Sequence, residues 1–313
     1  MLRRRHALHG LGLLALASCA AVPAGNPLRA TAIASGVYVL SGSAGAADAD
    51  NLGRIGNCGF IVGERGVVVV DTGTSLAHGR EILRAIRMVT DRPVMLALVT
   101  HTRPEFLFGG AAFKQAAIPI RMHQRTATLM ASRCETCLRT LRQTVGEAPI
   151  AGTVMYQADQ TFDATHTLTL AGRAVRVLHF GHSSGPGDIV VLDEDSGVVF
   201  AGGLLDAGRV PDIQDSDLPG WKRALQSLRT LAPKALVPGH GPASPPALID
   251  AVEAYLAQLE RRMRELVASG ASLLEAAETG ELPQYASWDQ YDTIHRRNAS
   301  VAYLRFEREL LFK

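Results

Sequence analysis

The sequence predicts a protein of α/β or α+β class, and its pattern of strands and helices supports this in two ways. Two β-rich stretches, at 33–122 and 167–237, each interleave strand-like runs with helix-like segments. From about residue 246 onward the pattern is helical. Two such β-rich halves fit a four-layer α/β/β/α sandwich, although periodicity alone does not select it over other mixed folds.

The elements of the first half follow from apolar runs and turn residues. Strands are predicted at 33–40, 56–62, 67–71, 94–100 and near 118–122. The four valines at 67–70 suggest a strand covered on both faces. Ser75 is placed to cap a helix that runs to about Met88. A short helix after the loop 101–110 and a longer one at about 125–145 complete this half.

The second half is also predicted to contain strands, here in two hairpins, followed by helices. Hairpins are predicted at 167–179 and 188–201, around turns at Ala171-Gly172 and Asp195-Ser-Gly197. A helix at 221–231 leads to a strand at 235–237 and the turn Pro238-Gly-His-Gly-Pro242. The remaining helices are predicted at 247–269 and 295–311, with shorter segments between them.

Composition narrows the class of protein. The 313 residues are 47% hydrophobic and 20% charged, with a formal net charge of +2, which suits a globular protein with a sizeable core. No long basic block appears in the mature region, so we expect no nucleic-acid partner. No apolar run there is long enough to span a bilayer.

The first residues predict export. Three arginines precede an apolar stretch at 11–17, and Leu16-Ala-Ser-Cys19 matches a bacterial lipobox. We therefore expect a lipoprotein signal peptide and lipobox over 1–19, with a linker at 20–29. Several acyl chains on Cys19 would anchor the protein stably to a membrane. An ordinary secretory signal is the alternative. Either way we expect a periplasmic protein, with a periplasmic protein partner as a possibility.

Four stretches at predicted strand ends carry a family resemblance. They are Val70-Asp-Thr-Gly73, Thr100-His101, Gly181-His182 with Gly187-Asp-Ile-Val-Val191, and Val237-Pro-Gly-His-Gly-Pro242. In type and order they resemble the metallo-β-lactamase superfamily. The resemblance implies an α+β fold, a four-layer αββα sandwich over 30–245, and a C-terminal helical extension at 246–313 packed on it. It also implies that Asp71 braces the metal-binding loop.

A closer resemblance is to the quinoprotein relay system zinc metallohydrolases, near the sulfur-oxidation-associated hydrolases. It is carried by the segment 51–62, by Phe108-Gly-Gly-Ala-Ala-Phe113, by a C-x-x-C pair at 134–137 and by the segment 218–225. Members of this group are exported, which agrees with the signal described above.

The metal ligands of the family are mostly replaced. Its pattern T-H-x-H-x-D-H appears here as Thr100-His-Thr-Arg-Pro-Glu-Phe106. The ligand positions that carry other residues are Arg103, Glu105, Phe106 and Gly203, and those that keep histidine are His101, His182 and His240. The resemblance places two of these histidines at one zinc and one at the other, so the surviving ligands would be weak or vestigial.

Arg103 opposes zinc binding directly. A guanidinium stays protonated and cannot ligate a metal. Two positive unit charges about 4 Å apart repel by about 4 kcal/mol at an effective dielectric of about 20, which is roughly three powers of ten in affinity. We therefore expect no tightly bound metal, and we predict that Arg103 pairs with Glu105. In this interpretation His101 and His182 become core residues bonded to each other or to Asp71.

Three functions remain open from the sequence. The leading hypothesis is a pseudo-enzyme, a binding or assembly module with a degenerate dinuclear site. The second is a hydrolase of small esters or thioesters that uses one zinc ion in an atypical site, with Asp206 as a possible extra ligand and Glu105 as ligand or base. The third is a thiol-dependent sulfur or redox role through Cys134 and Cys137. The structural alternative for this pair is a disulfide or two partly buried thiols.

Overall fold

The computed structural model describes residues 28–312. The predicted signal peptide, the lipobox with Cys19 and most of the predicted linker therefore lie outside the described residues. The described residues form two β-sheets and nine α-helices, with one 3₁₀ turn at Pro283–Tyr285 and one π-helical turn at Tyr291–His295.

The first sheet has seven strands in chain order. They are β1 (Thr31–Ala34), β2 (Val37–Leu40), β3 (Cys58–Val62), β4 (Val67–Val70), β5 (Val94–Val99), β6 (Ile120–His123) and β7 (Gln160–Phe162). The pairs from β1 to β4 are antiparallel, and those from β4 to β7 are parallel.

The second sheet has five strands in the order β12-β11-β10-β9-β8. They are β8 (His166–Leu168), β9 (Val175–Leu178), β10 (Val190–Asp193), β11 (Val198–Asp206) and β12 (Ala235–His240). Strands β11 and β12 are parallel, and the other pairs are antiparallel.

The helices connect and cover the sheets. They are α1 (Leu76–Val89), α2 (Pro104–Leu107), α3 (Gly110–Gln115), α4 (Gln124–Val145), α5 (Glu147–Ile150), α6 (Leu218–Thr230), α7 (Leu248–Ala268), α8 (Leu273–Thr279) and α9 (Arg296–Leu311). Among the described residues, no helix has the length and apolar content required to cross a membrane.

Three buried clusters establish the predicted four layers. One lies between the facing sheets and includes Val68, Val70 and Val191. A second joins the outer face of the first sheet to α1, α3 and α4. The third joins the outer face of the second sheet to α6 and to the C-terminal helices α7, α8 and α9. The α+β fold and its C-terminal helical extension are thus confirmed, whereas the exact domain boundaries remain predictions.

Some elements differ from the sequence prediction. The run at 33–40 is not one strand, because Gly36 adopts a φ of 74° and turns the chain between β1 and β2. Strand β7 was not predicted, and β11 continues five residues beyond Ala201, to Asp206. By contrast, Ser75 caps α1 as predicted, since its side chain accepts a hydrogen bond from the backbone N–H of His78.

Candidate functional site

The site is built where β4 and β5 end side by side. Asp71 follows β4 and adopts a φ of 63°, a strained backbone conformation for a residue other than glycine. Its carboxylate accepts hydrogen bonds from the backbone N–H of Thr100 at 2.8 Å and from the Thr100 hydroxyl at 2.8 Å. Asp71 therefore links the end of β4 to Thr100, the first residue of the segment 100–106, which we call the ligand loop. Burial raises the pKa of Asp71 to about 8 despite these two donors.

His101 is the second residue of this loop and is 3% exposed. Its Nδ1 is 2.7 Å from the Thr100 hydroxyl oxygen, so it is linked to Asp71 through Thr100 and not directly. Burial, reinforced by the charge of Arg103, lowers the pKa of His101 to about 3. The ring is therefore neutral at physiological pH.

Phe106 on α2 packs against the two buried histidines of the site. It is fully buried, and its ring centroid lies 4.3 Å from that of His101 and 5.3 Å from that of His240. Gly56 makes room for it, because a Cβ at that position would come within 2.6 Å of the Phe106 ring. An apolar ring thus fills the space at a position where the family pattern has an imidazole.

His240 ends β12 and is held between two carboxylates. The parallel register of β11 and β12 sets Asp206 opposite His240. Nδ1 of His240 lies 2.7 Å from Asp206 Oδ1, and Nε2 lies 3.1 Å from Glu105 Oε1. Burial lowers the pKa of His240, but the two carboxylates outweigh burial and raise the pKa to about 8. The ring is therefore an imidazolium at neutral pH, with both nitrogens engaged.

Glu105 is the matching anion of this arrangement. Burial raises its pKa, but the hydrogen bond and charge of His240, with the charge of Arg103, prevail and lower it to about 2. Asn57 steadies the turn that carries His240, because its side-chain amide donates to the carbonyls of Pro238 and Gly241 at 2.9 and 2.7 Å.

Arg103 does not pair with Glu105, and that prediction is wrong. Its guanidinium donates to the carboxylate of Asp212 at 2.9 Å, and Arg297 of α9 donates to the same oxygen. Burial alone would lower the pKa of Arg103, but Asp212 and Glu105 raise it above its ordinary value, so the group remains a cation. The partner lies 109 residues away in sequence, beyond the reach of local pattern analysis.

The C-terminal extension holds the loop that carries Asp212. The Asn298 side chain donates to the carbonyl of Pro211 at 2.7 Å and accepts from the backbone N–H of Ile213 at 3.2 Å. Arg305 donates to the carbonyl of Ile213 at 3.0 Å. Helix α9 therefore positions the partner of Arg103, a role that the sequence did not indicate.

His182 is not a core residue, so that interpretation is wrong. The side chain is exposed, and its Nε2 lies 2.7 Å from the backbone carbonyl oxygen of Asp215. The structure therefore brings His101, Glu105, Phe106 and His240 together but leaves His182 in a separate hydrogen bond at the surface.

Gly203 has no side chain that could bind a metal, but the carboxylate of Asp188 lies beside it. A Cβ on Gly203 would come within 2.8 Å of Asp188 Oδ2 and 3.0 Å of His101 Cδ2. Asp188 accepts a hydrogen bond from the Ser184 hydroxyl at 2.6 Å, and burial raises its pKa to about 6. The sequence did not single out Asp188 as a site residue, although it follows Gly187 in one of the four family stretches.

The donor set does not fit the dinuclear zinc centre that the fold family implies. Both nitrogens of His240 are bonded to carboxylates, Arg103 carries a positive charge into the loop, and Phe106 and Gly203 offer no ligand atom. Within residues 28–312, no group of three or more His, Cys, Asp or Glu side chains is placed to hold a metal ion. His101, His182, His240 and Glu105 do not converge on one point.

The predicted thiol pair lies outside this site. Cys134 and Cys137 are free cysteines on α4, the first buried and the second half-buried. The third free cysteine, Cys58, is buried on β3.

Comparison with known proteins gives a family match and a distant curated relative. The family described as the metallo-beta-lactamase superfamily matches residues 52–240. A curated relative, the linear primary-alkylsulfatase of Pseudomonas sp., is 23% identical over 215 residues, which cover 58% of this chain. The match spans only 40% of that relative's length.

Solved structures share the fold at low sequence identity. A metallo-beta-lactamase from Pontibacter korlensis superposes with a TM-score of 0.61 at 24% identity and covers 74% of this chain and 99% of its own. The FIM-1 enzyme from Pseudomonas aeruginosa, in its mono-zinc form, gives 0.59 at 21% identity and covers 74% and 96%. An Erythrobacter litoralis metallo-beta-lactamase gives 0.57 at 18% identity and covers 75% and 98%.

Proposed function

The chain belongs to the metallo-beta-lactamase superfamily, and we propose that within this superfamily it is a pseudo-enzyme, a binding or assembly module that keeps the fold without dinuclear zinc. Charged side chains of the protein itself take the place that metal ions hold in zinc-binding members of the family. The loop at 100–106 and the turn at 238–242 are then held in place by ion pairs. The surface around them is free to bind a partner.

The arrangement of His240 is the observation that carries this proposal. Its imidazolium forms hydrogen bonds with Asp206 at 2.7 Å and with Glu105 at 3.1 Å. A metal ion at this position would have to displace a proton and one of these carboxylates. Breaking one partner out of a buried ion pair costs about 3–5 kcal/mol, and this penalty would be deducted from the binding energy of any metal.

Arg103 supports the same conclusion from the other side of the site. Its charge is neutralised by Asp212. Burial raises the pKa of Asp212, but the charges of Arg103 and Arg297 together outweigh burial and hold that pKa below its ordinary value. The loop thus contains a balanced set of charges without any added cation.

Restoring the family ligands tests the proposal. We would compare wild type with the quadruple variant Arg103→His, Glu105→Asp, Phe106→His and Gly203→Asp. A matched control carries Arg103→Gln, Glu105→Gln, Phe106→Leu and Gly203→Ala at the same positions. Each protein is loaded with zinc, dialysed against a mild chelator, and assayed for zinc content and for hydrolysis of ester, thioester and alkyl sulfate substrates.

We expect retained zinc in the restored variant alone, with neither zinc nor hydrolysis in wild type or in the control. Stoichiometric zinc in wild type after chelation, or hydrolysis by wild type that depends on zinc, would overturn the pseudo-enzyme proposal. The restored variant thereby shows that the assay can detect a working site on this scaffold.

The competing candidate is a metal-dependent hydrolase with one ion in an atypical site. The observation in its favour is the carboxylate of Asp188, which lies against Gly203 and His101. The similarity to an alkylsulfatase adds sulfate esters to the substrates worth assaying. Zinc-dependent turnover by the wild-type protein in the same experiment would favour this candidate.

We also propose that the protein is exported and anchored by lipid on Cys19. The lipobox Leu16-Ala-Ser-Cys19 supports this, as does the resemblance to the exported quinoprotein relay group. Metabolic labelling with a fatty acid should mark the wild-type chain in the membrane fraction and fail to mark Cys19→Ala. A labelled Cys19→Ala chain, or an unlabelled wild type that keeps its first residues, would contradict the anchor.

A further inference from the structure

We propose that Cys134 and Cys137 form a thiol–disulfide exchange site on α4, which donates two electrons to a disulfide-bearing partner molecule. The proposal is independent of the pseudo-enzyme assignment, because neither cysteine takes part in the network around His240.

The first support is the position of the two thiols on one helix. They lie three residues apart within α4, which runs over Gln124–Val145. Helix geometry sets their Cα atoms about 5 Å apart, within the roughly 4.4–6.8 Å range that a disulfide requires. The Cβ atoms of residues three apart on a helix lie about 5–6 Å apart, and a disulfide needs about 3.5–4.5 Å, so the pair closes only with a local adjustment of this turn of α4.

The second support is the difference in burial between them. Cys134 is fully buried in the cluster between α4 and the first sheet, whereas Cys137 is half-buried at its edge. One thiol can thus meet a partner while the other is protected. This is the division between an attacking and a resolving cysteine.

The third support is the charge around the accessible thiol. Arg133 lies on the preceding turn of α4 and donates to the carboxylate of Asp215 at 2.6 Å. A hydrogen bond from the Cys134 thiol lowers the pKa of Cys137 to about 7, and Arg133 lowers it further while burial and Asp215 oppose the change. The hydrogen bond with Cys137, together with burial, raises the pKa of Cys134 well above its ordinary value. Cys137 is therefore the attacking group.

The reaction is balanced as two exchanges. The Cys137 thiolate attacks one sulfur of the partner disulfide, the partner S–S bond breaks, and the released thiolate takes up a proton. Cys134 then loses its proton to solvent and attacks the Cys137 sulfur, so the mixed disulfide breaks and the partner leaves as a dithiol. The pair Cys134–Cys137 is oxidised by two electrons, and the partner disulfide is reduced.

The test uses the full chain with glutathione disulfide as the probe. Wild type should form an internal disulfide that reduced glutathione reopens. Cys134→Ser should trap one glutathione on Cys137, and Cys137→Ser should trap none at Cys134 or Cys58, because both of these thiols are buried. The rate of trapping should rise with pH around a midpoint near 7.

A second measurement needs no variant, in case a serine substitution impairs folding. Alkylation of wild type, mapped by peptide mass, should modify Cys137 at least about tenfold faster than Cys134 or Cys58. Equal rates at the three cysteines would overturn the proposal. So would a Cys134–Cys137 disulfide that glutathione cannot reduce, since that would be a structural cross-link.

Discussion

His101 and His240 both pack against the Phe106 ring, yet one ring is neutral and the other is a cation. Both are buried, at 3% and 7% exposed, so burial lowers the pKa of each. Among residues 28–312, no carboxylate is bonded to the His101 ring, which stays neutral with a pKa of about 3. His240 has two and becomes a cation, with a pKa of about 8.

This comparison shows how a site built for metal ions can be stabilised without them. On the His240 side, a protonated ring and two carboxylates satisfy one another. On the His101 side, the carboxyls Asp71 and Asp188 have raised pKa values, about 8 and about 6, because burial is only partly offset. One half of the site is fully compensated, and the other retains carboxyl groups that burial shifts toward their neutral forms.

The largest expected effect comes from removing Asp206. Asp206→Ala leaves the His240 cation with one partner, and the loss of a buried ion-pair partner costs about 3–5 kcal/mol of unfolding free energy. Urea denaturation followed by circular dichroism measures it. Asp250→Ala, at the exposed pair with Arg229, is the matched control and should cost less than about 1 kcal/mol. Equal costs for the two variants would mean that the His240 arrangement is not compensated by charge.

His101 and His182 should differ almost as clearly. His101→Ala loses the hydrogen bond to Thr100 and the packing against Phe106, so we expect about 2 kcal/mol of destabilisation. His182→Ala changes an exposed side chain and should stay within about 0.5 kcal/mol of wild type. Thermal melting of both variants decides this, and a similar loss from His182→Ala would show that His182 is a structural part of the site.

The pH dependence of stability should reveal the His240 cation. Its pKa is raised from 6.5 to about 8, so its contribution is complete below about pH 6.5 and is lost as pH rises through about 8. In Glu105→Gln the pKa of His240 falls toward its ordinary value, because one of its two carboxylate partners is lost. This removes on the order of 1–2 kcal/mol of the stabilisation. The difference in unfolding free energy between wild type and variant should therefore shrink from pH 6 to pH 9.

The control for this profile is Glu278→Gln, which changes an exposed carboxylate. Its difference from wild type should remain flat over the same range. A Glu105→Gln difference that is equally flat would mean that His240 is neutral throughout and that the pair is an ordinary neutral hydrogen bond.

The smallest expected loss from removing a charged partner in the site is at Arg297. Its guanidinium is 47% exposed and shares Asp212 with Arg103, so Arg297→Ala should cost about 0–1 kcal/mol. Arg103→Met should cost more, because Asp212 is 9% exposed and would lose its less exposed partner. Denaturation of both variants gives their losses in unfolding free energy. A larger loss for Arg297→Ala than for Arg103→Met would mean that Arg297 of α9 is the main partner of Asp212.

The sequence predicted the fold well because its signals are local. The valines of β4, the Ser75 cap and the turns between strands each act within a few residues, and the four family stretches fall at strand ends. The short strand β7 was missed, since Gln160–Phe162 carries only three residues, none of them fully buried.

The site was harder to predict because its pairings are distant in sequence. The loop positions of His101, Arg103 and Glu105 were identified, but their partners were not. Arg103 meets Asp212 at a separation of 109 residues, and Glu105 meets His240 at 135. Which of several carboxylates pairs with a given cation depends on sheet register and on α9, and neither is encoded in a local motif.

The protonation state of His240 tests the central claim most directly. Long-range ¹H–¹⁵N correlation spectra of the histidine rings, assigned with a His240→Gln variant, report whether each ring nitrogen carries a proton. We predict that both nitrogens of His240 are protonated at pH 7, that the ring titrates near pH 8, and that added zinc leaves the signals unchanged. A neutral ring with one bare nitrogen, whose signal shifts when zinc is added, would contradict this account.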